Sequence, residues 1–559
     1  MKNRINKCII ASVTLLLLAW NLPAQTAYDA LMMGQNQYGG TARTMAMGNA
    51  FTALGGDLGS IAINPAGSAV SGYTQISLTP GIEISNSNSR STNYYGGTDA
   101  SRVIQNKADF RIPNVAFNIN FGLGSSILRN FNIGFSSNLC DSYTEHTVMG
   151  GRTNESSYFG ALAQAATFDK INAADLEADT HYERYPFDLV LNYNAFLFSP
   201  IKNETNRYVG ITETATGPDA QGNYNISMRE GGMLKQSWGR EVTGAKNDYI
   251  INFGFNFLDK VFIGANIGLT HINRKYNDYF REEAVNPSIY DVTFEKSTGE
   301  TVNTFWKDGS YKYSLSMTGT GIYGKFGIIY VPVPWLRLGA AIQTPTTLNI
   351  VERYGASVSS SFDNATFSTR LETGTFDNRY TLRTPMRANF GIAGVIGQRL
   401  VISADYEFCP YGDMVFQYNK VDADDWRELN RSVSSTLGTG HSLRFGLEGR
   451  ISSAFSARLG YSVTSNPSLI GVDGKNGLPI NHFANWGKHG EQRVGFGFGF
   501  NSKGSFFADI AAVARIYPTG FFYPYDDIRD KDGSTVVMAP EYVINRTLWT
   551  VAVTVGWRF

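Results

Sequence analysis

Charge is scarce in this chain, and histidine and cysteine are scarcer. Of 559 residues only 17% are Asp, Glu, Lys or Arg, the two signs cancel to zero, and there are six histidines and three cysteines. Ordinary soluble proteins carry about 25% charged residues, so the composition does not describe an ordinary hydrated surface. A zero balance also lacks the basic footprint of a nucleic-acid binder. Cys8 falls in the N-terminal leader, which leaves Cys140 and Cys409. Two cysteines cannot form a disulfide framework, and the sequence leaves open whether they pair. Beyond the leader there is no apolar run of about 18 residues, the length that a spanning helix needs.

What is present begins with that leader. Lys2, Arg4 and Lys7 precede an apolar stretch from Cys8 to Trp20 and then Leu22-Pro-Ala-Gln25. This pattern predicts a secretory signal peptide over residues 1–24, cut between Ala24 and Gln25. The stretch is too short to serve as an uncleaved anchor.

After it, aromatic residues (13% of the chain) and 58 glycines fall into segments of period two. Val115, Phe117, Ile119 and Phe121 alternate with Asn114, Ala116, Asn118 and Asn120; Val494, Phe496, Phe498 and Phe500 alternate with glycines and Asn501. Bulky apolar groups opposite glycine and asparagine do not suit a sandwich, whose inner faces interdigitate. They suit a wall with lipid on one side and a lumen holding something else on the other. The final strand, Thr547 to Phe559, puts Trp549, Val551, Val553, Val555, Trp557 and Phe559 on one face. Trp557 and Phe559 resemble the terminal assembly signal of bacterial outer-membrane barrels, read by the barrel assembly machinery.

Such segments number about fourteen, near 73–85, 110–121, 130–145, 248–258, 261–273, 313–331, 335–355, 379–396, 399–416, 440–453, 455–463, 491–501, 504–517 and 545–559. Short connections alternate with long polar ones, 146–247 being the longest. Short turns at one end and long loops at the other are characteristic of transmembrane barrels. The expected fold class is all-β: an up-and-down antiparallel transmembrane barrel over 73–559, in the bacterial outer membrane, with membrane lipid and lipopolysaccharide around it and one chain per barrel.

Inward parity carries Lys325, Arg337, Arg387, Asp405, Glu407, Arg444, Glu448, Arg458, Asp509 and Arg515. A basic residue facing lipid costs about 2–4 kcal/mol at the midplane, so these charges belong in the lumen. Both signs are present, so they form either a site for an anionic headgroup or an ion-pair network that braces the wall or holds a plug.

Residues 25–72 do not read as wall. Met47, Ala50, Phe51 and Leu54 have helical spacing, Gly55-Gly-Asp-Leu-Gly59 is a turn, and Ile61-Ala-Ile-Asn-Pro-Ala-Gly67 follows. A compact, glycine-punctuated segment joined to the first strand predicts a hatch inside the barrel. The stretch Gly39-Gly-Thr-Ala-Arg-Thr-Met-Ala-Met-Gly-Asn-Ala-Phe-Thr-Ala-Leu-Gly-Gly-Asp57, with Asn64-Pro-Ala-Gly67, resembles the N-terminal signature of the FadL/TodX family of outer-membrane transporters. Leu382-Arg-Thr-Pro-Met386 through Tyr406, Gly446-Leu-Glu-Gly449 and Arg458-Leu-Gly-Tyr461 resemble later family strands. The resemblance implies a fourteen-strand barrel with an N-terminal hatch. It also implies a hydrophobic cargo, long-chain fatty acid or another apolar small molecule, captured outside and released sideways through a gap beside a kinked strand. Its hatch residues map here to Asn64, Pro65, Ala66 and Gly67, with Gly48 and Asp57. Asn49 stands where the family has a second glycine, and the 146–247 connection has no clear family counterpart.

Within that connection Phe187, Leu189, Leu191, Phe196 and Phe198 fall within twelve residues, enough either to line an acyl groove or to cap the mouth. In the third strand, Ser136, Ser137 and Asn138 interrupt the outward apolar parity and mark a candidate break in the wall. No nucleophile motif, cofactor motif or metal-ligand spacing accompanies these features. A lipid-hydrolysing barrel is therefore disfavoured, since His441 and Ser442 are strand neighbours pointing to opposite faces. Haem uptake through His482 and His489 is the alternative cargo reading.

Overall fold

The computed structural model describes residues 26–559 apart from 92–100, 180–181, 183, 221, 296–297, 398, 418–422, 470–489, 526–527, 530–534 and 538. The expected signal peptide over 1–24 lies outside the described residues, as do His482 and His489.

The period-two segments form a closed antiparallel barrel of fourteen strands. These are β1 (Gln75–Ser91), β2 (Val103–Gly122), β3 (Leu128–Ser142), β4 (Leu234–Phe257), β5 (Val261–Ala284) and β6 (Thr301–Val333). β7 runs Leu336–Gln343 and on through Thr347–Phe362, β8 Phe376–Arg383 and Arg387–Ile396, and β9 Leu400–Pro410 with Val415–Gln417. β10 (Thr439–Arg450), β11 (Phe455–Thr464), β12 (Glu491–Asn501), β13 (Phe506–Ile516) and β14 (Tyr542–Arg558) complete the wall. Closure is made by β1 against β14, from Gln75 opposite Arg558 to Ser91 opposite Tyr542. The terminal aromatic joins in, its Phe559 amide donating to the Thr74 carbonyl at 2.8 Å.

Parity sorts the side chains as expected. Ile82, Ile84, Phe117, Phe253-side neighbours such as Ile251, Phe390, Phe498 and Trp549 are exposed on the outside. Lys325, Arg387, Asp405, Glu407, Arg444, Arg458, Asp509 and Arg515 are buried within.

Several strands run further than the alternation reveals: β4 begins at Leu234 and β6 at Thr301. Above the apolar band neither face needs to be apolar, so the periodic signal fades while the backbone ladder continues. The 417–439 connection likewise contains a helix, Ala423–Thr436.

Residues 26–74 thread the lumen. Helix α1 (Ala27–Gly34), opened by a Thr26/Asp29 capping box, leads through an extended stretch to α2 (Ala42–Ala46), α3 (Ser60–Ile63) and a 3₁₀ turn at Pro65–Val70. What the wall's glycines leave room for is this segment. A Cβ on Gly264 would lie 2.3 Å from the Pro65 carbonyl carbon, one on Gly339 2.1 Å from the Thr52 oxygen, and one on Gly460 2.1 Å from the Gly48 nitrogen. The alternating asparagines cap its carbonyls: Asn252 donates to Pro65 at 3.0 Å and Asn266 to Ile61 at 2.8 Å.

Asn64 ties the hatch to itself and to the wall. Its side-chain amide donates to the Thr52 carbonyl at 2.6 Å and the Ile328 carbonyl at 3.1 Å, while its Oδ1 accepts from the Ala66 amide at 3.1 Å. Asn64→Leu strands three buried backbone groups and is expected to destabilise the hatch by roughly 2–4 kcal/mol. Proteolysis within residues 40–60, faster in the variant than in the native protein, is the check.

The long connection between β3 and β4 builds a lid. It adds an inner strand, Glu145–Thr153, and helices α4 (Tyr158–Phe168), α5 (Ala173–Ala178) and α6 (Phe187–Asn194). Tyr158, Phe159, Leu189, Leu191 and Phe198 share one core with Trp238, Phe280, Trp306 and Val358 of the upper wall. Burial pushes Glu213 of the lid up to about 7. The Gly210 amide donates to it at 3.0 Å, and no described cation pairs with it. A carboxyl raised in the folded state above its ordinary 4.5 favours folding fully below that value, and the benefit is lost as pH rises to about 7. The lid should therefore loosen by roughly 3 kcal/mol between those limits. Hydrogen-exchange protection factors across 154–233, taken relative to the intrinsic rate at each pH, should be lower at pH 8 than at pH 5, and Glu213→Gln should flatten the difference.

Candidate functional site: a hatch set against an interrupted wall

The wall is not continuous along its whole height. β2 pairs with β3 only from Gly122 opposite Asn130 up to Asn114 opposite Asn138. Above that, residues 103–111 of β2 remain paired with β1, while β3 and the inner strand Glu145–Thr153 follow β4 instead. The inner strand leans across the lumen, where Thr147 bonds Ser87 at 2.9 Å and the Val148 carbonyl accepts from Ser89 at 2.6 Å. The backbone ladder between β2 and β3 therefore parts in a wedge with Pro113 at its apex, crossed by side chains: Arg111 donates to Thr144 at 2.7 Å and Lys107 to Glu241 at 2.6 Å.

This wedge starts inside the apolar band. Phe110 and Ile112 flank it with 66% and 49% exposure, and the upper limit of the band is marked by Ile84 opposite Trp549. An unpaired strand edge is costly in lipid unless something covers it. The hatch supplies the cover on the β3 side: the Gln37 amide donates to the Cys140 carbonyl at 2.6 Å and the Gly39 amide to the Leu139 carbonyl at 2.7 Å. A Cβ on Gly39 would sit 2.7 Å from the Leu139 oxygen and 3.2 Å from the Pro113 oxygen, so glycine permits the close approach.

Ser136, Ser137 and Asn138, expected to form the break, instead stay paired opposite Ala116, Val115 and Asn114. The wall parts at the next residues, where β3 bulges between Leu139 and Asp141 and turns Leu139 inward. The signal missed in the sequence was proline. Pro113 cannot donate to a neighbouring strand, and Pro80 opposite it lies in the β1 bulge between Thr79 and Gly81; proline inside a strand pattern marks an edge or a bulge.

The lumen charges are gathered into bridges that hold the hatch. Glu448 accepts from Arg43 of α2 at 2.7 Å and from Arg458 at 2.6 Å, and Arg458 reaches Asp509 at 2.5 Å. Glu407 joins Arg387 and Arg444 at 2.8 and 2.7 Å. Arg387 also donates to the Gly34 carbonyl at the end of α1, and Asp405 accepts from the Thr52 amide at 2.7 Å. Beside the wedge, Arg515 bridges Asp141 and Glu491, each at 2.7 Å. These eight expected lumen charges thus belong to bridged networks that reach the hatch or close the wall next to it.

The hatch motif itself is buried. Asp57 accepts from the Thr41 hydroxyl at 2.7 Å and the Gly59 amide at 2.9 Å. Pro65 begins the 3₁₀ turn that Asn64 caps, with Ala66 buried in it. Gly67 packs on Ser60. Gly48 has φ +63° and its Cα faces the Phe445 and Tyr461 carbonyls. Asn49, the departure from the family pattern, also has positive φ (60°); asparagine tolerates that region, and its amide donates to the Tyr38 carbonyl at 2.6 Å.

Of the five aromatic and aliphatic residues expected to line a groove or cap the mouth, Leu189, Leu191 and Phe198 lie in the sealed lid core. That packing makes a cap and leaves no groove between them. Phe187 stacks on Tyr354 and Phe376 at the upper wall. Phe196 alone is exposed, meeting Phe294, which stacks on Phe367 at 4.4 Å. Below the lid, Met33 of α1 packs in a buried apolar cluster with Ile272, Met317, Leu348, Tyr380 and Met414. Behind the wedge is a cavity of about 60 Å³, lined by Tyr38, Gly39, Met45, Glu83, Leu139 and Arg515 among others. It has room for a few waters.

Cys140 and Cys409 are both free and buried. Among the described residues no cluster of three potential metal ligands occurs, and no helix is long and apolar enough to cross a membrane. No family model and no curated protein matches the chain. Among solved structures, the toluene transporter TodX of Pseudomonas putida is similar at TM-score 0.46 and 11% identity, covering 94% of this chain and 99% of that one. The Ralstonia pickettii toluene transporter TbuX gives 0.42 and 12% over 94% and 99%. A Pseudomonas aeruginosa FadL homologue gives 0.45 and 11% over 93% and 98%. The barrel is established by its own closed ladder of strand pairs.

Proposed function

We propose that the chain is an outer-membrane transporter of the FadL/TodX kind. It carries an apolar small molecule, long-chain fatty acid foremost, and releases it sideways between β2 and β3. The observation that carries this reading is the wedge above Asn114, opening inside the apolar band and covered from within by Gln37–Gly39. A diffusion pore needs neither a filled lumen nor a broken wall. Cargo would be gathered at the exposed Phe196 beside the half-buried Phe294 and Phe367 and held where the apolar cluster around Met33 opens to admit it. Each buried methylene contributes about 0.8 kcal/mol, enough to retain a long chain without a reactive group.

Lipid analysis of the protein purified in mild detergent tests the cargo. Alkyl carboxylates or other apolar compounds, enriched over a porin purified in parallel, support the reading. A Soret band would transfer it to haem, and recovery of neither would count against it.

A further inference from the structure

We infer that the turn end of the barrel is a docking surface for the phosphate headgroups of anionic phospholipid. Five of its six turns, and the chain terminus, place a cation at the rim: Arg129, Lys260, Arg399, Arg450, Lys503 and Arg558. Asp259 is the single exposed carboxylate among the described turn residues, and it lies 3.8 Å from Arg129. Arg558 is held by Asn501 at 3.0 Å. Lys260, Arg399, Arg450 and Lys503 are exposed and have no carboxylate partner among the described residues. The loop side mixes its signs, with Lys235, Arg281, Lys307 and Arg353 paired to Glu283, Asp308, Asp363 and Asp377.

A cationic rim alone could face lipid or an acidic protein. The turn tips decide between them. Ile127, Leu258 and Ile451 project from three of these turns, and Trp335 from the sixth, at 62%, 51%, 69% and 57% exposure. Large apolar groups at a water-facing tip would be a liability, whereas at the boundary of a leaflet they enter the acyl region. Long basic side chains beside them then reach back to the phosphate layer. Apolar tips and unpaired cations at one level together describe the headgroup zone of the leaflet on the turn side. The inference rests on immersion of the wall in lipid and is independent of what the barrel carries.

The test uses the full-length processed protein in zwitterionic detergent, offered equal amounts of phosphatidylglycerol and phosphatidylcholine with the same acyl chains. Native mass spectrometry then reads the lipid retained. The native protein should retain phosphatidylglycerol over phosphatidylcholine at least about tenfold at low salt, and less as salt rises. The variant Lys260→Gln/Arg399→Gln/Arg450→Gln/Lys503→Gln should lose the preference. The loop-side variant Lys235→Gln/Arg281→Gln/Lys307→Gln/Arg353→Gln should keep it. If the fourfold turn variant does not insert, Arg450→Gln and Lys503→Gln are read singly, each lowering the ratio about threefold to fivefold. Equal retention of both lipids, or equal loss in the loop-side variant, overturns the inference. So does binding of polyglutamate without preference for phosphatidylglycerol, which would make an acidic protein the partner.

Discussion

Oxidising the double variant Met47→Cys/Gly446→Cys is expected to cut cargo uptake at least about tenfold, and reduction to restore it. A Cβ at position 446 lies 3.1 Å from the Met47 Cβ and 2.7 Å from the Met47 carbonyl oxygen, so the bond forms once the hatch backs away by several tenths of an ångström, toward the Cβ separation of about 3.8 Å that a disulfide prefers. The bond would fasten the hatch, just past α2, to β10. The expectation follows from volume. The cavity behind the wedge holds about 60 Å³, so no alkyl chain passes until the hatch or the inner strand rearranges. Uptake of a fluorescent alkyl probe into proteoliposomes, with and without reductant, gives the comparison within one protein. Undiminished uptake by the oxidised form would show that this part of the hatch stays still during transport.

Removing residues 26–72 is expected to have the opposite character. The ring of pairs from β1 to β14 lies outside the deletion, so the wall can still close. Its inner face would then present the glycines and asparagines that now meet the hatch, with Arg387, Glu407, Arg444, Glu448 and Arg458 exposed to water. A barrel of this size with no filling leaves an aqueous channel. Steady ion conductance in planar bilayers and entry of sugars into proteoliposomes should appear, both absent from the native protein. Selective capture of alkyl cargo should be lost with them. A truncated barrel that stays electrically tight, or still carries cargo as the native protein does, would mean the segment neither fills nor shapes the route.

The wall was legible because lipid imposes period two. Val494, Phe496 and Phe498 against Gly495, Gly497 and Gly499 state both faces of β12 at once. The glycines and asparagines also announced a filled lumen, and Arg43–Glu448 and Arg387–Glu407 show how the charges serve that filling. Where both faces are wet or covered, the pattern carries no such message. The tops of β4 and β6, the inner strand Glu145–Thr153 and the lid helices are therefore absent from the periodic signal. The lid residues Leu189 and Leu191 read as apolar, but their partners Trp306 and Val358 lie more than a hundred residues away, so cap and groove were indistinguishable. The break was misplaced by a few residues for a related reason. Ser137 interrupts the outward apolar face while Ser136 and Asn138 keep the inward one and the ladder holds, whereas the backbone parts where Pro113 withholds a donor and Leu139 gives its carbonyl to Gly39.

Sideways release is tested most directly by a photoreactive alkyl cargo, activated during uptake and mapped by peptide mass spectrometry. Label is expected on Phe110, Ile112 and Leu139 at the wedge, with Phe445 and Phe498 on the far outer wall labelled only at the background of free probe in the bilayer. Label running down the lumen to Pro65 and Ser68, with none at the wedge above that background, would show passage straight through the hatch and contradict sideways release.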